Sequence, residues 1–221
     1  MESGEVWTIL MTAAVSVIGT LGVTYFGHWL GLSKDKQLRQ EELDRHARFL
    51  AIRVVCKLDP FVSECCLVVH DQGAPDQQGE MYPLVGEPTL SFPEDVDWKS
   101  VKPDLMYRIL SFPNDIEIGQ QYISFVAEEI AFPPDYEEFF RERTIEYGRL
   151  GLNALVLANE IRETYGIPQR VYGDRHPKDA LEAALAKAKK ASEQSNALQA
   201  ESIKEITKGS AGKSSEAGQK Q

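Results

Sequence analysis

The chain has few cysteines and lacks the motifs by which common active sites are recognised. Its three cysteines, Cys56, Cys65 and Cys66, are an odd number and lie close together, so they do not form a disulfide framework. Free thiols are typical of a reducing compartment. The sequence contains no glycine-rich phosphate loop, zinc-protease helix, nucleophile elbow or CxxC pair. We therefore expect no catalytic residues, no cofactor and no metal, and predict that the protein is not an enzyme.

Two weaker chemical patterns have simple structural explanations. Cys66 and His70 are four residues apart and would share a helix face, but two ligands do not make a metal site. A run of carboxylates begins at Asp135 and could be taken for an active-site cluster. We expect instead that Asp135 caps a helix and that Glu137 and Glu138 favour the positive N-terminus of that helix.

Asp, Glu, Lys and Arg are all absent from Val6 to Leu32. A helix of this length rises roughly 40 Å, enough to cross a hydrocarbon core of about 30 Å. The leader is acidic, which disfavours a cleaved signal peptide, and buried helices of soluble proteins rarely lack charge for so long. We predict an extracytoplasmic end over residues 1–5 and a transmembrane anchor over residues 6–32. The predicted span begins at Val6 and ends at Leu32. Its aromatic residues at the two membrane–water interfaces are Trp7, Tyr25 and Trp29.

Basic residues follow the span closely and predict its direction. They are Lys34, Lys36 and Arg39, and an excess of positive charge marks the cytoplasmic side. We expect a single-pass protein of the cell membrane, the inner membrane in a Gram-negative cell. Its N-terminus lies outside and its C-terminal domain in the cytoplasm. Small residues such as Gly27 and Gly31 permit self-association within the bilayer, although they are common in membrane helices generally.

Helical periodicity in residues 33–175 predicts an all-α fold, with a small cytoplasmic bundle after the transmembrane helix. We expect a first helix from Lys34 to Val69 that kinks or breaks at Pro60, because proline removes a backbone donor. A short helix from Pro103 should stop at Phe112-Pro113, and a second should run to about Ala131. Tyr136 to Tyr165 should form the last helix of an antiparallel hairpin. The buried residues predicted for the second helix are Ile116, Tyr122, Ile123, Val126 and Ile130.

A long irregular strap, residues 70–103, separates the first two of these helices. It is rich in Gly, Pro, Asp and Gln, and we expect its centre, residues 74–80, to be disordered. Phe92, Val96 and Trp98 are apolar enough to fix the strap on the helices and are the candidate interaction residues. Residues 176–221 form a tail rich in Ala, Lys and Glu, which we expect to be disordered beyond about residue 208.

The net charge of −10 is unevenly distributed. Residues 71–142 hold sixteen Asp and Glu but only four Lys and Arg, whereas residues 34–57 hold more basic than acidic residues. A basic stretch beside the membrane and an acidic body beyond it suit an anionic leaflet. The acidic body excludes nucleic acid as a partner, because phosphates require a basic footprint.

Three phrases of the sequence resemble a group of uncharacterised bacterial single-pass membrane proteins. They are LAIRVVCKLDPFVSECCLVVHDQG at Leu50–Gly73, VDWKSVKPDLMYRILSFPNDIE at Val96–Glu117 and PPDYEEFFRERTIEYGRLGLNAL at Pro133–Leu155. Similar proteins carry these phrases in the same order. The resemblance implies a bacterial origin and supports the domain boundaries, but it implies no activity, cofactor or site.

These observations favour a membrane-anchored, non-enzymatic docking protein whose cytoplasmic helical domain binds an unknown protein partner. The expected partners are the lipid bilayer, that protein, and a second copy through the membrane span. One alternative is an envelope or phage-lysis accessory protein that faces the periplasm. Another is an enzyme of unrecognised type with its pocket beneath Trp98.

Overall fold

The computed structural model describes the backbone of residues 3–173 and 176–217. Side chains are described for residues 34, 36–173, 176–198, 200, 201 and 204. The chain divides into two compact units, Met1–Phe49 and Leu50–Gln221. Its elements in order are α1 (Ser3–Val68), β1 (Ala74–Pro75), β2 (Met81–Tyr82), a 3-10 turn (Trp98–Ser100), α2 (Pro103–Glu129), α3 (Glu137–Tyr165) and α4 (Pro177–Ala217). The predicted all-α fold is confirmed.

The first unit consists of the N-terminal part of α1. Lys34, Lys36 and Arg39 are exposed there, and Gln40 Nε2 donates to Asp44 Oδ1 one turn on, at 3.0 Å. The side chains of the predicted anchor, residues 6–32, lie outside the described part of the chain, including Val6, Trp7, Tyr25, Trp29 and Leu32. Among the residues that the structure does describe, no helix combines the length and the apolar character needed to cross a membrane.

Two prolines lie inside helices of the second unit. The helix end predicted at Phe112-Pro113 is wrong, and at Pro60, where we expect a kink or a break, the helix does not break. α1 continues through Pro60 to Val68, and α2 is one helix that contains Pro113. Pro60 and Cys56 are both exposed, so the Cys56 carbonyl that loses its donor can bind water. In α2, the residues buried on one face continue across Pro113. They are Leu105, Ile109, Phe112, Ile116, Gly119, Ile123 and Val126. Burial on both sides offsets the local cost of proline, about 3 kcal/mol.

One apolar core joins the four helices within the second unit. Val54, Leu58, Phe61 and Val62 of α1 are almost completely buried, and the Phe61 ring meets that of Phe112 edge to face at 5.8 Å. α3 contributes side chains along its whole length, among them Tyr147, Leu150, Ala154, Ala158 and Ile161, and α4 contributes Leu181. Because Leu181 is fully buried, the start of α4 belongs to the domain core rather than to a tail.

The strap is more ordered at its centre than the sequence predicts. β1 and β2 form an antiparallel hairpin in which Ala74 pairs with Tyr82, so the prediction of a disordered segment at residues 74–80 is wrong. The Asp76 carboxylate closes the turn, because it accepts from the amides of Gln78 at 2.8 Å and Glu80 at 2.9 Å. Gly79 supplies the positive φ, 86°, that this turn requires.

The start of α3 and the end of α4 also differ from the prediction. Tyr136, with a left-handed backbone, stands at the N-cap of α3, so Asp135 is not the cap. Glu137 and Glu138 do occupy the first turn, and Gly166 ends the helix in the left-handed conformation. α4 continues to Ala217, whereas disorder is expected beyond residue 208. The Ala, Lys and Glu content of α4 up to Lys208 has high helix propensity, which favours a long helix with little to bury.

A glycine sets the close approach of α3 to its neighbours. A Cβ at Gly151 would lie 2.8 Å from Cys65 Cβ in α1 and 3.0 Å from Leu181 Cδ1 in α4. Gly148, one turn earlier in α3, has room, since a Cβ there would meet Leu185 Cβ at an ordinary 3.4 Å.

We predict that Gly151→Ala lowers the free energy of unfolding by about 1–3 kcal/mol, because the added methyl overpacks the core. Gly148→Ala is the matched control, and better helix propensity should leave it unchanged or raise stability by up to about 1 kcal/mol. Urea unfolding of both variants measures the difference. Equal effects of the two substitutions would contradict the close packing assigned to Gly151.

Candidate docking surface

α2 presents apolar side chains on two opposite faces. One face is buried in the core, and the other exposes Tyr107, Leu110, Ile118 and Phe125, with Ile118 63% exposed and Phe125 52% exposed. These four residues recur at helical spacing and form a stripe roughly 27 Å long, at 1.5 Å per residue. A helix that is apolar on opposite sides is typical of the interior of a bundle. The outer stripe therefore has the character of a contact face.

Acidic residues flank this outer stripe. α2 contains five acidic residues and one basic residue. All five acidic side chains are exposed: Asp104, Asp115, Glu117, Glu128 and Glu129. The basic residue, Arg108, pairs with Glu160 of α3, so its charge is already balanced. The field over the stripe is negative as a result.

A shallow groove of about 520 Å³ lies at the C-terminal half of the stripe. Its walls include Phe125 and three of the helix carboxylates, those of Glu117, Glu128 and Glu129. The rest of its lining is polar, from Gln120, Gln121 and Ser124, so Phe125 is the apolar side chain that the groove shares with the stripe. An apolar stripe beside an acidic groove suits a cationic amphipathic segment, because the aliphatic stems of lysine and arginine cover apolar surface while their charged ends meet the carboxylates.

The residues of this outer face are evident in the sequence, but the helix boundaries that the sequence predicts do not place them on one face. Tyr122 and Ile130 are predicted to be buried, whereas they are 42% and 40% exposed. Ile116, Ile123 and Val126 are buried as predicted. With a helix break expected at Pro113, Tyr107 and Ile118 fall on different helices. The signal that could have identified the stripe is the apolar spacing 107, 118, 125, taken through the proline.

The predicted interaction residues of the strap lie elsewhere. Phe92, Val96 and Trp98 are half-buried and pack against the core, and the Phe92 and Trp98 rings meet edge to face at 6.2 Å. Their apolar surface is therefore partly used within the domain. Trp98, beneath which the enzymatic alternative places a pocket, packs against the apolar core.

A buried ion pair holds the strap on α3. Arg143 Nη1 lies 3.0 Å from Asp71 Oδ2, and both side chains are at most 2% exposed. The same carboxylate accepts from the amides of Gly73 at 2.9 Å, Leu84 at 3.0 Å and Val85 at 2.9 Å. Arg143 Nη2 also donates to the Val85 carbonyl. Because these groups satisfy one another, the pair is a structural clamp rather than a reactive centre.

The pKa of Asp71 follows from this environment. Burial alone would raise it, but the hydrogen bonds from Val85, Gly73 and Arg143, with the guanidinium charge, outweigh burial and hold the pKa below its usual value. The charged form is therefore the one that the fold binds.

A cleft of about 750 Å³ opens beside this clamp, between the end of α1, α3 and α4. Its charged groups include two basic residues, Arg141 and Lys187, and two acidic residues, Asp135 and Glu137. Neither sign of charge therefore dominates the cleft. His70 Nδ1 donates to the Cys66 carbonyl at 2.7 Å. Among the described residues, no three His, Cys, Asp or Glu side chains converge on a metal position.

We expect acid to weaken the domain through Asp71. A carboxylate whose pKa is lowered by folding stabilises the native state above its unfolded pKa, about 3.9, and this contribution disappears as the pH falls through the folded pKa. Asp71→Asn should therefore be less stable at pH 7, by about 3–5 kcal/mol if the arginine is left buried without its partner. It should also lose less stability than the wild type between pH 5 and pH 2. Urea unfolding across this range measures both effects, and parallel pH profiles would contradict the role of Asp71.

No protein-family model, curated protein or solved structure matches this chain.

Proposed function

We propose that the protein is a membrane-anchored, non-enzymatic docking module that binds a basic amphipathic helix of a partner protein on the outer face of α2. The observation that carries this proposal is the exposed stripe of Tyr107, Leu110, Ile118 and Phe125 between acidic flanks. Burial of such residues supplies affinity, at about 25 cal/mol per Å² of apolar surface. The carboxylates supply orientation and speed of association.

The membrane part of the proposal is supported by sequence and charge. Residues 6–32 contain no charged residue, and the basic side chains of Lys34, Lys36 and Arg39 follow them and are exposed. Positive charge on this side favours retention in the cytoplasm and attraction to anionic lipid. The partner helix is therefore sought among cytoplasmic proteins.

Reporter fusions at Gln221 test this arrangement. A reporter that is active only in the cytoplasm should be active there, and one that requires export should be silent, with the fusion protein retained in membranes after alkaline extraction. Replacement of Lys34, Lys36 and Arg39 by glutamine is the informative variant, because it removes the charge asymmetry that sets direction. An active exported reporter on the wild-type chain would instead favour the periplasm-facing accessory protein, and release at alkaline pH would refute the anchor.

A designed peptide tests the docking face. The probe is a helix of about 18 residues with leucine on one side and lysine on the other, which matches the length of the stripe. It should bind the full chain in neutral detergent, and Ile118→Ser with Phe125→Ser should weaken binding at least about tenfold, since each change removes more than about 1.4 kcal/mol of apolar burial. Fluorescence anisotropy measures the affinity.

Matched controls locate the binding. Val156→Ser alters an equally exposed residue, 59% exposed, on α3 and should leave the affinity unchanged. Glu117→Lys with Glu128→Lys should weaken binding most at low salt, whereas Glu163→Lys, on an exposed part of α3, should have little effect. If Ile118→Ser with Phe125→Ser leaves the affinity unchanged and charge reversal weakens binding equally on α2 and on α3, the peptide is attracted to net charge alone, and the docking face is rejected.

A further inference from the structure

Two arginines and one carboxylate meet where the loop after α3 approaches α1. Arg162 Nη2 lies 2.8 Å from Asp59 Oδ1 and 2.7 Å from Asp59 Oδ2. Arg170 Nη1 lies 3.3 Å from Asp59 Oδ2. Among the described residues, these two guanidinium groups share a single carboxylate, so two positive charges face one negative charge there.

Two polar groups of this cluster have no hydrogen-bond partner among the residues that the structure describes. Arg162 is 3% exposed at its side chain, yet its second terminal nitrogen, Nη1, makes no hydrogen bond. The Tyr172 hydroxyl is also fully buried without a hydrogen-bond partner. Nearly all buried polar groups in folded proteins are satisfied, so these two exceptions require an explanation.

The two groups occupy the same electrostatic environment. Burial and the charge of Asp59 raise the pKa of Tyr172, whereas Arg162 and Arg170 lower it, so the hydroxyl lies within the field of all three charges. The Arg170 guanidinium carbon is 5.2 Å from the centre of the Tyr172 ring, and the His176 ring contacts that ring on another side, at 4.9 Å. The phenol therefore keeps its proton and remains a donor at neutral pH.

We propose that Arg162 and Tyr172 form a binding site for a phosphate group, with Arg170 at its entrance. The free groups are N–H and O–H donors, which is the set that an oxyanion requires, and the unbalanced positive charge selects an anion. Arginine is the residue best suited to a phosphate, because its planar guanidinium can meet two oxygens at once. Arg170 is 42% exposed, and movement of this side chain would open the site without disturbing the bond between Arg162 and Asp59.

The phosphate group could belong to a soluble phosphomonoester or to an anionic lipid headgroup, and both present the same terminal oxygens. The proposal is independent of the docking face on α2, since it uses residues of α1, α3 and the loop that follows α3. Either proposal can fail without affecting the other.

Calorimetric titration of the full chain in neutral detergent with inorganic phosphate tests the site, at constant ionic strength and with chloride as the reference anion. Saturable binding is expected. Tyr172→Phe, which removes only the hydroxyl, should weaken it at least about tenfold, the effect of losing a charge-assisted hydrogen bond of about 1.5–3 kcal/mol. Arg170→Gln should weaken it as well. Tyr147→Phe is the control, because it removes another buried hydroxyl outside the cluster and should bind like the wild type.

Two further titrations identify the source of the phosphate. Glycerol phosphate represents a soluble ligand, and phosphatidic acid in neutral mixed micelles represents a headgroup, with phosphatidylcholine micelles as the blank. Binding of either one that is lost in Tyr172→Phe supports the site and assigns the source. Absence of phosphate binding in the wild type, or equal binding in Tyr172→Phe, would overturn the proposal and leave a bound water as the partner of the two donors.

Discussion

The carboxylate of Asp71 connects parts of the second unit that are otherwise far apart in sequence. It lies just beyond the end of α1, accepts amides from the strap at residues 73, 84 and 85, and pairs with Arg143 of α3. A buried charge is costly without partners, so each of these groups depends on the others being in place. The long strap follows a defined path because the groups that balance Asp71 occur at fixed positions along it. Further along the strap, the ion pair of Asp95 with Arg53 at 3.1 Å adds a second attachment, to α1.

The long helices show how burial overrides local rules. Proline inside a helix is unfavourable, yet α1 and α2 both contain one. In each case apolar residues of one face continue on both sides of the proline, so interruption would expose side chains that are now almost fully buried. The same continuity creates the outer stripe of α2, because Tyr107 and Ile118 align only when the helix is unbroken. Burial of the inner face of α2 keeps the helix continuous, and this continuity aligns the exposed residues of the outer stripe.

Structural features that depend on residues close together in the sequence can be predicted from the sequence. α3 is predicted closely, since its periodic apolar residues end at Gly166, and the helical hairpin that it forms with α2 follows from the short link between them. The docking face is predictable only in part. Its residues are apolar and regularly spaced, but their alignment depends on the balance between proline and burial. The pairing of Asp59 with Arg162, 103 residues apart, has no local signal at all. Neither does the choice of Asp71 rather than another carboxylate as the clamp.

The acidic flanks of α2 have a second consequence, which concerns copies of the same chain. With the proposed membrane anchor, the exposed apolar stripe would meet other copies at high local concentration, because a membrane confines its proteins to two dimensions. Two such stripes could pair through their apolar residues, but their carboxylates would then face one another, and like charges in contact oppose association. The flanks therefore oppose homotypic pairing, in addition to the attraction that we propose for a cationic partner. This protection is electrostatic and is screened over about 8 Å at physiological ionic strength, so it depends on the ionic strength of the cytoplasm in which the domain is proposed to lie.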